Sequence, residues 1–311
     1  MAYAVGNNGR IRTNISAENA YNALDVSNKD ISLRQLRLST GKKINNAADD
    51  VSGYITSRAL QARNQSLKSA ANIVGDGLNL TNIIMDSMDN INSLVCDIKE
   101  STATASSGSL GTDEKVALAK ASYRMVQQIQ TIVDSAVFGG AQLLDGEYNA
   151  DMLIGFDVKN TCLTIGIDMR KNNTDFNVES NNFDLNSLST DCFAGVTGLR
   201  MTDMDKVSAT DLGIFSKDQI SVTLTSLAEA LNNVNKVASC IGGVNNRLES
   251  QNSLLDSQII NYNSAISRLE DADVAQEQLA LIKSQFLQSA SLTSLTQANQ
   301  NPSQYLQLIQ G

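Results

Sequence analysis

The chain has 311 residues, one proline, no histidine, no tryptophan and a formal net charge of -9. Average usage of about 5% would give roughly 15 prolines, so their near absence points to long uninterrupted helices rather than a loop-rich globule. The missing histidine removes Ser-His-Asp, Cys-His and 2-His-carboxylate sites and most zinc sites, and the acidic balance argues against nucleic acid or an anionic membrane as partner.

Residues 1–12 lack periodicity and read as a mobile tail. An amphipathic helix is expected from Thr13 to Ser39, with Ala17, Leu24, Ile31 and Leu38 spaced by seven and Ala20 and Tyr21 beside them. Gly41 suits the end of this helix, and residues 42–50 read as a polar connector. A second helix is expected over roughly 48–101. Ala70, Gly77, Ile84, Ile91 and Ile98 repeat every seven residues, with Ile73, Leu80 and Leu94 three later. At 1.5 Å per residue it would be roughly 80 Å long. After a Ser/Gly turn, Thr112 is the expected N-cap of a third helix, which Gly139-Gly140 should stop.

The period then changes. Met152, Ile154, Phe156 and Val158 alternate, as do Leu163, Ile165, Ile167 and Met169, so 150–169 reads as a β-hairpin turning at Lys159-Asn160. Residues 170–218, rich in Asn, Asp, Ser and Thr, read as a small irregular insertion. The last third returns to helix, with Leu227, Val234, Ile241, Leu248, Leu255, Tyr262 and Leu269 spaced by seven. That register lapses at Gln276, and a shifted stripe of Ala275, Leu279, Ile282, Phe286 and Ala290 follows. The fold class is therefore mainly α: long coiled-coil helices from both termini, a β-hairpin and a small mid-chain insertion. No run approaches 18 apolar residues, and the opening residues carry no secretory signal pattern. Gly139-Gly140 and Gly242-Gly243 lack the Lys-Ser/Thr of a phosphate loop.

Several polar motifs interrupt these stripes. Ser39-Thr40-Gly41-Lys42-Lys43-Ile44-Asn45-Asn46-Ala47-Ala48-Asp49-Asp50 resembles the bacterial flagellin segment L-S-S-G-x-R-I-N-x-A-x-D-D, with Gly53 and Arg58 at that family's next Gly and Arg. Asp76-Gly77 resembles its N-D-G-I-S stretch. Gly242-Gly243-Val244-Asn245-Asn246-Arg247-Leu248 resembles G-A-V-Q-N-R-F/L, Arg268-Leu269-Glu270-Asp271-Ala272-Asp273 resembles R-I-E-D-A-D, and Gln297-Ala298-Asn299-Gln300-Asn301-Pro302 resembles Q-A-N-Q-x-P. The resemblance covers roughly 1–145 and 220–311.

The resemblance implies a structural filament subunit, not an enzyme, with no cofactor, metal or catalytic residue. It implies an inner coiled-coil domain D0 from 1–45 and 270–311, an outer helical domain D1 from 46–169 and 219–269, and a rudimentary D2 or loop at 170–218. The implied partners are further copies of the chain in a helical homopolymer, a flagellar export chaperone, a filament cap and hook-associated proteins, with neither nucleic acid nor membrane among them. The implied location is the extracellular flagellar filament, reached by type III export. Coupled folding and assembly would bury Leu24, Ile31, Leu38, Leu279, Ile282, Phe286, Leu292 and Leu306 in the inner core. Ile84, Ile91, Ile98, Ile241, Leu248, Leu255 and Tyr262 would form the D1 seam. The alternatives are a hook–filament junction protein, against which the Q-A-N-Q-x-P match argues, and a secreted coiled-coil binding module, which would form a discrete oligomer.

Two features depart from the family. Cys96, Cys162, Cys192 and Cys240 are four cysteines in a chain expected outside the cell. Free thiols are the first expectation; two disulfides in three pairings are the alternative, with Cys162–Cys192 the favoured local bridge. In addition, many flagellins meet Toll-like receptor 5 through an Arg, a Leu and a Glu. The ungapped register puts Asp97, Ser101 and Ala121 at those places.

Overall fold

A computed structural model describes residues 13–156, 162–178, 183–184, 192–197, 199 and 201–310, of which the side chains at 156, 162, 192, 197 and 301–310 are outside the described set. The expected tail at 1–12 and the Lys159-Asn160 turn also lie outside it. The described elements are α1 (Ile15–Thr40), α2 (Val51–Ala105), α3 (Thr112–Ser135), β1 (Val137–Phe138), β2 (Ala141–Gln142), β3 (Asn149–Phe156), β4 (Cys162–Asp168), β5 (Cys192–Phe193), β6 (Val196–Thr197), α4 (Ile220–Glu270) and α5 (Val274–Gln310). They pack as two compact units. One holds the described residues up to Asn64 and those from Ile260 onward, and the other is Gln65–Ile259. The division falls inside α2 and α4, not at 45/46 and 269/270. The reason is local bonding: Gln61 of α2 donates to Glu270 at 2.6 Å, and Asn64 to Asn263 at 2.6 Å.

In the unit Gln65–Ile259 the α2 seam is wider than a strict heptad. Ala70, Ile84, Ile91 and Ile98 are buried, and so are Val74, Thr81, Met88, Val95 and Thr102, four residues after members of that row. Ile73 and Leu94, expected three later, are only half-buried. Residues on α3 (Ala119, Val126, Ile129, Val133) and on α4 (Leu227, Val234, Ile241, Leu248, Leu255) are buried in the same cluster. A helix that packs against more than one partner buries a broader face than a two-stranded seam does. Thr81 donates to Asn245 at 2.8 Å, which satisfies a polar group inside the seam.

The glycines and caps have local causes. Gly111, not Thr112, caps α3, and its N–H donates to the Glu114 carboxylate. Gly139 and Gly140 have φ of 60° and 88°. They form the two-residue turn of the β1–β2 hairpin, a conformation that favours glycine at both positions. β3 and β4 pair antiparallel from Asn149↔Asp168 to Phe156↔Cys162, with a register shift between Leu153 and Gly155. Gly77 is a close approach: a Cβ there would meet Met152 at 3.3 Å and Leu248 at 3.4 Å.

The mid-chain segment is more than an irregular insertion. Its described residues include three 3-10 segments and the β5–β6 pair. Phe176, Phe183, Phe193, Met201, Met204 and Phe215 are buried in one cluster with α2, α3 and α4. Phe183 and Phe193 meet edge to face at 6.1 Å. The sequence hides this because the aromatic residues are isolated among polar ones and follow no period. Replacing Phe193 with Ala should cost about 3–5 kcal/mol, the usual range for emptying a filled aromatic site. A denaturant titration of the monomer checks this. A change within about 0.5 kcal/mol, normal for surface positions, would mean the segment is peripheral.

Candidate functional site: the terminal helix pair

In the other unit α1 and α5 lie antiparallel. Their contact face repeats every seven residues; its most buried positions are small or polar, with larger apolar side chains half-buried between them. On α1, Ala20 and Ser27 are buried, while Leu24, Ile31 and Leu38 are half-buried. On α5, Glu277, Ser284 and Ala298 are buried, with Leu281, Gln288, Ser291 and Leu295 half-buried between them. The most buried side chains are small and the Leu and Ile residues are only half covered, so the apolar area removed from water is less than a fully packed Leu/Ile seam would give. Polar contacts set its alignment. Asn14 caps α1 by accepting from the Ala17 N–H and donates to the Ala298 carbonyl at 2.7 Å. Gln288 donates to Asn28 at 2.6 Å. Arg34 and Arg37 reach Glu277 at 2.8 and 3.3 Å.

The apolar stripe of α5 points elsewhere. Leu279, Ile282, Phe286 and Leu292 are 69%, 58%, 74% and 54% exposed. At 100° per residue, Leu279, Ile282 and Phe286 lie roughly opposite the row that faces α1. Thus of the eight residues expected in the inner core, the three on α1 sit partly in the intrachain seam and four on α5 are open. The side chain of Leu306 lies outside the described residues. Tyr21 and Val26 on α1 are also exposed, at 61% and 63%. Apolar residues on both faces of α5 obscured which face meets α1. The signal that locates it is the spacing by seven of Glu277, Ser284, Ser291 and Ala298, which is visible only when small and charged residues are counted as seam.

The charged motifs resolve into capping and chain reversal. Gly41, with φ of 70°, ends α1. The two connectors then pair: the Lys43 N–H donates to the Glu270 carbonyl at 2.6 Å, and the Ala272 N–H to the Gly41 carbonyl at 2.9 Å. Lys42 reaches the buried Glu270 carboxylate at 2.7 Å. Asp49 accepts from the N–H groups of Asn45 and Asn46 at 3.0 Å each, and these hold its carboxyl below its ordinary value. Asp50 caps α2 by accepting from the Gly53 N–H at 3.0 Å. Gly53 packs closely there: a Cβ would come within 2.7 Å of the Ile44 side chain and closer still to the Asp50 carboxylate, so both would have to shift. Asp273 caps α5, accepting from Ala275 and Gln276.

Among the described residues no group of His, Cys, Asp and Glu could hold a metal ion, and no helix is long and apolar enough to cross a membrane. Ile84, Ile91, Ile98, Ile241, Leu248 and Leu255 are buried in the Gln65–Ile259 unit, while Tyr262 is half-buried in the terminal unit. Cys96 and Cys240 carry free thiols, and burial pushes the Cys240 thiol up. The side chains of Cys162 and Cys192 lie outside the described residues. Asp97 and Ala121 are exposed and Ser101 is half-buried.

Family models agree with the motif reading. The bacterial flagellin N-terminal helical region matches residues 11–149, and the bacterial flagellin C-terminal helical region matches residues 224–309. The chain belongs to the bacterial flagellin family. It is similar to a flagellin of Bacillus subtilis, 28% identical over 306 residues, with 96% of this chain and 99% of the relative covered. It is also similar to a flagellin of Treponema pallidum, 23% identical over 299 residues, and to a flagellar filament core protein of Brachyspira hyodysenteriae, 25% identical over 300 residues. Both alignments cover 96% of this chain and 99% of the relative. A flagellin is a structural subunit of a filament homopolymer, not an enzyme.

The buried carboxylates give this pair a pH dependence. Burial pushes the Glu277 carboxyl up, but Arg34 and Arg37 outweigh it and hold it below its ordinary value. Glu270 shows the same balance, with Lys42 the main opposing partner. A depressed carboxyl contributes stability above its unfolded value, about 4.3, and loses it as pH falls through the lower folded value. Filaments should therefore keep α1 and α5 resistant to an acid-active protease at pH 5 and progressively lose that resistance below about pH 4. Glu277→Gln filaments should be weaker at pH 7 and change less on acidification. An identical acid profile in the variant would remove Glu277 from the account.

Proposed function

We propose that this flagellin polymerises by coupled folding and assembly of α1 and α5, its terminal domain D0, which forms the inner part of the filament within the helical domain D1. The observation that carries the reading is the opposition of faces on α5. The buried positions that face α1 are small or charged, while Leu279, Ile282 and Phe286 are left exposed among the described residues. Exposed large apolar residues at regular spacing mark an interaction surface, and a homopolymer supplies its other side. The surface is used between copies in a heterologous contact that stays open, so the product is a filament rather than a closed oligomer. The filament lies outside the cell, and an export chaperone, a filament cap and hook-associated proteins handle the chain before and during growth. Electron microscopy after seeding purified protein with filament fragments tests this. Phe286→Asp should stop growth while the Gln65–Ile259 helices stay folded, because a buried charge without a partner costs several kcal/mol in every subunit. Normal filaments from the variant would remove Phe286 from the subunit interface.

The same reading makes this flagellin a weak agonist of Toll-like receptor 5. Asp97, Ser101 and Ala121 stand where the family's Arg, Leu and Glu make contact. Loss of one central anchor commonly costs about 2 kcal/mol, roughly thirtyfold in affinity. A reporter-cell titration beside the Asp97→Arg, Ser101→Leu, Ala121→Glu variant should show a gain of about that size or more. Equal potency of the two proteins would show that these positions do not govern recognition.

A further inference from the structure

We infer that Arg34, Arg37 and Glu277 are positioning residues that select the register of the α1–α5 pair. The inference rests on the reading of these helices as the polymerising domain and adds what sets their alignment. The seam has an ambiguity built into it. Ala20 and Ser27 stand seven apart on α1, and Glu277, Ser284, Ser291 and Ala298 stand seven apart on α5. In the antiparallel pair Arg34 faces Glu277. By the same spacing Ser27 faces Ser284 and Ala20 faces Ser291. A slip of one heptad one way brings Ser27 to Ser291 and Ala20 to Ala298, and a slip the other way brings Ala20 to Ser284, so small residues still meet small ones. Apolar packing therefore discriminates poorly between registers, as it does wherever a stripe repeats itself.

The charged cluster is not indifferent to a slip. Glu277 is buried, its carboxylate is taken up by two guanidinium groups, and the side chains of Arg34 and Arg37 are only 26% and 20% exposed. After a slip in one direction Arg34 would face Ser284 and Glu277 would pass the end of α1. After the opposite slip Glu277 would face Ser27. Either leaves desolvated charge without its partner, the most heavily penalised arrangement in a packed seam. A single polar or charged position that fixes register is the best-attested use of such groups in paired helices.

Cysteine cross-linking in the assembled protein reads register directly. With the four native cysteines changed to alanine, Ser27→Cys with Ser284→Cys reports the observed register. Ser27→Cys with Ser291→Cys and Ala20→Cys with Ser284→Cys report the two slips. The expected result is cross-linking of the first pair alone, and appearance of at least one slipped pair once Glu277→Gln is added. Glu277→Arg should slow seeded growth by about tenfold or more, as removal of one partner from a buried pair does. The swap Arg34→Glu, Arg37→Glu, Glu277→Arg should restore most of that rate. A Glu277→Gln filament that cross-links only in the observed register would overturn the inference while leaving the polymerisation reading intact. So would a swap no better than Glu277→Arg. Failure of the unsubstituted protein to form filaments would instead overturn the polymerisation reading.

Discussion

Two helices can hold each other only as firmly as the area they hide from water allows. Between α1 and α5 that area is lined by Ala20, Ser27, Ser284 and Ala298, with Leu24, Ile31, Leu38, Leu281 and Leu295 only half covered and a buried ion pair at one end. Alanine and serine contribute little apolar transfer energy, and the charges at Glu277 give up hydration that their pairing must offset. Helices of this kind are marginal alone in water. The same α5 carries Leu279, Ile282 and Phe286 on its other side, able to bury large area but exposed among the described residues. The terminal unit is thus underpacked within one subunit and supplied with material to be completed by others. The Gln65–Ile259 unit, by contrast, closes its own core with rows of Ile, Leu, Val and Met.

Near the connectors, charge serves geometry. The Lys42–Glu270 pair, the β-bridge Lys42↔Asp271 and the caps at Asp50 and Asp273 fix where four helices begin and end. A polymer subunit needs this accuracy, because an error in the direction of one terminal helix is repeated at every contact. Conformational freedom is removed at the connector by hydrogen bonds. The long helices themselves need no such devices.

The helices were legible because their periods are long and their breakers few. The rows on α2 and α4 were read from spacing alone, and the hairpin from alternation. What the sequence concealed had physical causes. Phe176, Phe183, Phe193 and Phe215 enter the core from turns and short strands, so no period announces them. The second buried row on α2 arises because packing against more than one element widens its face. The α1–α5 seam was read through its large residues; Leu24, Ile31 and Leu38 sit partly in it, but its most buried positions are small and charged. The distinction matters for function, since the residues with the strongest hydrophobic signal on α5 are those left for a neighbour.

Hydrogen exchange measured on the monomer and on filaments tests the central claim most directly. The account holds that α1 and α5 gain their stability from neighbouring subunits. It predicts that amides of Ile15–Thr40 and Val274–Gln310 exchange rapidly in the monomer and become protected in the filament, while α3 and the 65–105 stretch of α2 are protected in both. Terminal helices protected equally in monomer and filament would contradict it.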